Sequence, residues 1–229
     1  MPSWCIIRLP VNWKGLPHEV LYIFFTVLLF STNSIASAEL VFDDKPLTLL
    51  LSDNNQARVA NCSDFIALRK SGETVKDILD LTPPDQDLAE AALFDCYIKG
   101  YVIENQLHEI KSQKPSLGDI LRHLPATEKI ISSDEEMKKI AKDFKDRSIW
   151  DTSPDLVQQD DIFVSEIDYT GYRLIDSRTY ISPQNKKIEI ITLGSFALYG
   201  TEGTRKNYII NSKNNTLWDI SKIDMNSSF

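Results

Sequence analysis

An α+β fold, with helices first and an antiparallel β-meander second, is predicted by three observations. Up to about Arg147, apolar residues recur at spacings of three and four, the helical period. From Ile162 onward, β-branched and aromatic residues are broken by short turn signals, as in successive strands. Cys62 and Cys96 both fall in the helical part, where one disulfide would staple it. The expected organisation is a signal peptide at 1–38, a helical region at 39–147, a connector at 148–161 and a sheet at 162–224. Helices cover that sheet on one face.

The leader carries Arg8 and Lys14 before an apolar run of 11 residues, Val20 to Phe30. That is short of the roughly 20 residues a membrane-spanning helix needs. Small residues and Ala36-Ser37-Ala38 follow, the pattern of a cleaved secretory signal with Glu39 as the new N-terminus. Cleavage leaves 23 basic and 32 acidic residues among 191, a net charge near −9. Such a balance excludes nucleic-acid binding by bulk electrostatics and suits, without requiring, a basic partner. Export also places Cys62 and Cys96 in an oxidising compartment, where two cysteines pair. Closing a ring of this length stabilises by roughly 3 to 4 kcal/mol.

Glu39 to Leu51 shows no clear period and is expected to be an extended lead-in. A first helix is expected from Asn55 to Lys70, stopped by Ser71-Gly72. A short second helix follows, with Val75, Ile78 and Leu79 on one face and Pro83-Pro84 closing it. The third helix, Asp85 to Ile110, has two stripes. Leu88, Ala92, Cys96, Ile103 and Leu107 fall within an arc of about 100°, the width of a core-facing face. On the far side Glu90, Phe94, Tyr97, Tyr101, Glu104 and His108 share an arc of about 80°. A helix of this kind is either sandwiched in its domain or offers its second face to a partner. Ser116 then opens a helix that Pro125 closes, and Ser133-Asp134-Glu135-Glu136 has capping-box spacing ahead of Met137, Ile140, Ala141 and Phe144.

Asp151 to Asp161 is polar and proline-containing, as a connector is. Strands are expected at Ile162 to Ile167, Tyr172 to Ile181, Lys187 to Tyr199 with a bulge at Gly194, Arg205 to Asn211, and Leu217 to Ser221. The intervening breaks are Thr170-Gly171, Ser182-Pro183-Gln184-Asn185, Gly200 to Gly203 and Ser212 to Asn215. Met225 to Phe229 reads as a frayed tail.

No constellation spells out a reaction, so no catalytic residue is assigned. His108 and His123 lie on different expected helices without ligand spacing, which leaves no metal site and no cofactor. Gly194-Ser195 and Gly200-Thr201-Glu202-Gly203 lack the strand-to-helix context of a nucleophile or phosphate loop. Acid pairs such as Asp160-Asp161 are common in a chain this acidic.

Asn61-Cys62-Ser63-Asp64-Phe65-Ile66 and Cys96-Tyr97-Ile98-Lys99-Gly100-Tyr101-Val102 resemble the paired-cysteine helices of small periplasmic proteins, including type VI secretion immunity proteins and acid-stress chaperones. The resemblance spans about residues 55–110. It implies a helical, disulfide-stapled protein that works by binding another protein.

The expectation is therefore an exported, soluble, non-enzymatic protein of the bacterial envelope that binds another protein, one able to neutralise a toxin or hydrolase. Its partner face is expected at Phe94, Tyr97, Tyr101, Glu104 and His108, because aromatic side chains bury much area at little entropic cost. The alternative is a periplasmic enzyme using carboxylates in a cleft between helices and sheet.

Overall fold

The computed structural model describes residues 39–42, 44–129, 134–199 and 203–229. The expected signal peptide and Ser133 of the expected capping box lie outside these residues, as does most of the Gly200-to-Gly203 turn. Among the described residues no helix is long and apolar enough to cross a membrane.

The lead-in is extended, and more ordered than its pattern suggested. Strands β1 (Val41–Phe42), β2 (Lys45–Leu51) and β3 (Gln56–Val59) precede the first helix, α1 (Cys62–Lys70). The helix expected from Asn55 starts at Cys62 because Asn61 caps it. The Asn61 side chain accepts from Asp64 N–H at 3.1 Å, and the Asp64 carboxylate accepts from Ala60 N–H at 2.9 Å. With its helix start fixed there, Gln56 to Val59 pairs with β2 instead.

Val75 to Leu79, expected to be helical, is strand β4 (Val75–Leu79), paired with β2 on the edge opposite β3. Leu51 lies opposite Val75 and Leu50 opposite Asp77, so Lys76 is an extra residue. This bulge puts Val75 and Ile78 both in the core at a spacing of three, which imitates a helical period.

Pro83-Pro84 opens a helix rather than closing one. They are the first residues of α2 (Pro83–Glu104), where the missing N–H costs nothing. Leu88 and Ile103, expected in its core stripe, are 60% and 52% exposed. The buried face is instead Ala89, Leu93, Cys96, Tyr97 and Gly100, a regular series of four, three, one and three. The Cys62–Cys96 disulfide joins α1 to α2, with Cα atoms 4.9 Å apart. The helix ends at Glu104, so His108 falls in the two-residue strand β5 (His108–Glu109).

Helix α3 (Leu117–His123) has the expected Ser116 cap, whose Oγ accepts from Asp119 N–H at 3.0 Å, and buries Ile120 and Leu121. A single 3-10 turn (Ala126–Glu128) and α4 (Asp134–Asp143) follow. The connector stretch carries α5 (Ile149–Thr152) and β6 (Val157–Gln159).

The meander then runs β7 (Ile162–Ser165), β8 (Thr170–Ile181), β9 (Lys187–Ala197), β10 (Gly203–Ser212) and β11 (Asp219–Ile223). With β6 outside β7 and β5 beside the end of β8, the described residues form a seven-stranded antiparallel sheet. Gly194 is not a bulge; it pairs regularly with Arg173 and Arg205. The bulge sits on the neighbouring strand, at Ile175 between Leu174 and Asp176. A Cβ at Gly194 would approach Ile175 Cδ1 to 3.0 Å, so the glycine accommodates that side chain. Thr170-Gly171 lies within β8, and the chain reverses just before it, at Glu166 to Tyr169.

Alternation along β9 divides the core. Ile190 packs with Tyr180, Ile223, the small sheet, α1 and α2. Ile191 and Leu193 pack with Tyr172, Tyr208, α3 and α5 on the other side. The helical cover expected on one face is there, and a second layer covers the other face.

The segment expected to fray is docked. Phe229 stacks on Tyr97 with ring centroids 5.6 Å apart, and the Tyr97 hydroxyl donates to Ser228 C=O at 2.9 Å. A Cβ at Gly100 would come within 2.5 Å of Phe229, so the helix needs glycine beneath the ring. Arg69 donates to Met225 C=O at 3.1 Å and to Asn226 C=O at 2.7 Å, and also to Glu73 C=O. The Asn226 side chain accepts from Val75 N–H and donates to Val75 C=O, both at 2.8 Å, like an added strand residue.

Candidate functional site

The stripe expected to meet a partner is divided by this tail. Phe94 and Tyr97 are buried in the core, Tyr101 is half-buried, and only Glu104 and His108 are exposed. Burial, with Tyr101 and Asp224 adding to it, pushes the Tyr97 phenol up to about 12, so it stays a neutral donor. Glu104 pairs with Lys70 at 2.6 Å. The correction has a physical cause: the second apolar face of α2 is covered by the chain's own residues 225–229.

A different cluster of large apolar side chains stands in the open. Ile167, Tyr169 and Tyr199 are 69%, 59% and 76% exposed. They come from two adjacent loops at one end of the large sheet, the β7–β8 reversal and the segment after β9. The Tyr169 and Tyr199 rings meet edge to face at 5.6 Å and 62°. Tyr199 donates its hydroxyl to Glu166 Oε2 at 3.1 Å, and this bond to a carboxylate raises its phenol pKa.

The β7–β8 loop is held from below by polar groups. Asp155 accepts from Ser165 Oγ at 2.7 Å and from Ile167 N–H at 2.8 Å. Burial pushes the Asp155 carboxyl up, but these bonds outweigh it and hold the group below the usual carboxylate range. Asp168 N–H donates to Ser165 Oγ at 3.0 Å. The Asp168 carboxylate receives Lys129 Nζ at 2.6 Å and the Ser153 hydroxyl. Lys129 and Ser153 are buried and Asp168 is half-buried, so this ion pair is shielded from water on its lysine side. Tyr169 takes the left-handed backbone conformation, φ 52°, and its carbonyl accepts from Leu198 N–H at 2.9 Å. A non-glycine residue there is strained, and the bonds on either side over-determine it.

Lys129, Ser153 and Asp168 resemble a nucleophile with its base only in composition. Ser153 is buried under the loop and its hydroxyl is committed to Asp168, so no substrate reaches it. Ser195 is likewise buried, hydrogen-bonded with Thr204 Oγ1 at 2.9 Å. His123 stacks on Trp218 at 5.1 Å, while His108 pairs with Ile181 at the end of β8. Among the described residues no three potential ligands gather around a metal position.

A cleft between helix and sheet does exist, about 620 Å³ in volume, between α2 and strands β8 to β10. Asp87 and Glu90 line it from the helix and Arg173 and Arg205 from the strands, with Asp87 near enough to help push the Glu90 carboxyl up. Comparison with protein-family models, curated proteins and solved structures finds no match.

The sequence reading missed Ile167, Tyr169 and Tyr199. A local signal was available: Tyr169 lies between Asp168 and Thr170-Gly171, and Tyr199 immediately precedes Gly200. Aromatic residues inside turn signals have no neighbouring core period to bury them.

Proposed function

We propose that this is an exported protein of the bacterial envelope that acts without catalysis by binding another protein through the Ile167, Tyr169 and Tyr199 surface. The observation that carries this reading is an exposed aromatic cluster on a loop fixed by a half-buried ion pair. Exposed apolar area costs little at a site that is later covered, and a loop already held in shape loses little further entropy on binding. The disulfide fits an oxidising compartment, and the leader pattern supplies the route there. The partner is a protein with an apolar pocket bordered by basic groups. Glu166 beside Tyr199 and the acidic balance of the chain would steer it in. Neutralising a toxin or hydrolase is a function such a surface can perform by occlusion.

A photo-crosslinking residue at position 199, in protein recovered from the envelope fraction, tests this. One partner should be captured, its capture should be lost with Ile167→Asp, and it should weaken with added salt. Capture unchanged by Ile167→Asp in a protein with a normal melting temperature would remove the assignment.

A further inference from the structure

The groove between α2 and the large sheet carries opposite charges on opposite walls. On its floor, Gly194 of β9 pairs with Arg173 on one side and Arg205 on the other. Directly paired residues project from the same face, so the two arginines flank a position with no side chain, their Cα atoms about 10 Å apart across two strand spacings. One step along the same face, the next pair is Thr192 and Asn207. Asn207 is only 7% exposed, and its amide oxygen accepts from Thr192 Oγ1 at 2.9 Å. Its amide nitrogen makes no hydrogen bond among the described residues, and Asn207 is one of the residues that line the groove. An amide nitrogen that keeps contact with solvent is a donor whose bond a ligand can take over from water.

The opposite wall is acidic: Asp87 and Glu90 come from α2 and Asp224 from the chain after β11. Glu90 is an exposed residue whose carboxyl is pushed up by partial burial first and then by Asp87 and Asp77. Among the described residues neither Arg173 nor Arg205 forms an ion pair; the arginine of this sheet that does is Arg178, with Asp95 and Asp176. The groove thus keeps donors and acids apart across open space. A simple anion would meet the three acids, and a simple cation would meet the two arginines. Phe94 also lines the groove and offers an apolar contact.

We infer that this groove binds a small zwitterion, a free amino acid or short peptide. Its carboxylate would lie on Arg173, Arg205 and the Asn207 amide, and its ammonium would lie toward Glu90 and Asp87. The inference is independent of the protein-contact reading, because the groove and the aromatic cluster share no residue.

Isothermal titration of the purified protein with glycine, lysine, glutamate and a set of dipeptides tests it, with acetate and methylamine as single-charge controls. At least one zwitterion should bind saturably, about tenfold or more tighter than either control, since each side offers charge-assisted bonds. Tighter binding of a dipeptide than of its amino acids would name the peptide as source, and the reverse would name the free amino acid. Arg173→Met, Arg205→Met and Glu90→Gln should each weaken binding about tenfold at an unchanged or raised melting temperature. Acetate binding as tightly as the zwitterions, binding indifferent to Glu90→Gln, or no saturable heat from any of these compounds would overturn the inference.

Discussion

Two clusters of tyrosines in this protein have opposite fates. Phe94, Tyr97 and Tyr101 sit together on α2, with Phe94 and Tyr97 5.8 Å apart and Tyr97 and Tyr101 6.1 Å apart. Tyr169 and Tyr199 meet at a similar 5.6 Å. The first group is covered by residues 225–229, and the second is covered by nothing among the described residues. Aromatic clustering therefore does not separate core from contact surface. What separates them is whether the chain can bring a cover of its own, here the segment 225–229 pinned by Arg69 and Val75.

The largest expected effect breaks the comparison at its buried side. Tyr97→Ala removes a ring that packs against Phe94, Tyr101 and Phe229 and a hydroxyl that holds the tail. Truncating a buried aromatic side chain costs about 3 to 5 kcal/mol. Tyr199, paired with Tyr169 and Glu166, is 76% exposed, so Tyr199→Ala should change stability by no more than about 0.5 kcal/mol. Urea unfolding of both variants checks this pair. Equal losses would mean that the exposed cluster is part of the core.

A smaller loss is expected at the base of the exposed cluster. Lys129→Met leaves Asp168, whose side chain is 21% exposed, with the Ser153 hydroxyl but without its cation, a change that costs about 1 to 3 kcal/mol. Hydrogen exchange should show faster opening at Ile167 and Asp168, while the amides of α2 keep their protection relative to global unfolding. Uniform loss of protection would show that the pair supports the whole sheet and not the loop.

Much of the sheet was legible because its signals are local. Turn residues punctuate the meander at Ser182 to Asn185 and Ser212 to Asn215, and β8, β9 and β10 lie close to where alternation placed them. Helix α3 was legible for the same reason, with Ser116 before it and Pro125 after it. The small sheet was not, because the bulge at Lys76 gives β4 a helical spacing and because Pro83-Pro84 suits a helix start as well as a stop. The site was the least legible part. The partners that bury Tyr97 and fix Asp168 are 131 and 39 residues away in the chain, and no window of sequence contains them.

The smallest expected effect sharpens the comparison from below the loop. Helix α5 is opened by a reciprocal cap in which Ser148 Oγ accepts from Asp151 N–H and the Asp151 carboxylate accepts from Ser148 N–H. Its far end supplies Ser153, the hydroxyl that Asp168 accepts. The backbone bond from Ser148, followed by the side-chain bond at the same residue, holds the Asp151 carboxyl below its ordinary value. A carboxyl depressed in the folded state adds stability above its unfolded pKa and loses it as pH falls through the folded one. Asp151→Asn should therefore cost on the order of 1 kcal/mol at neutral pH, the scale of a helix cap, and less as the pH drops below the carboxylate range. Melting curves of both proteins at pH 7 and pH 3 measure the convergence. A gap that stays constant between those pH values would show that the carboxylate is not what holds α5, and through Ser153 the exposed loop, in place.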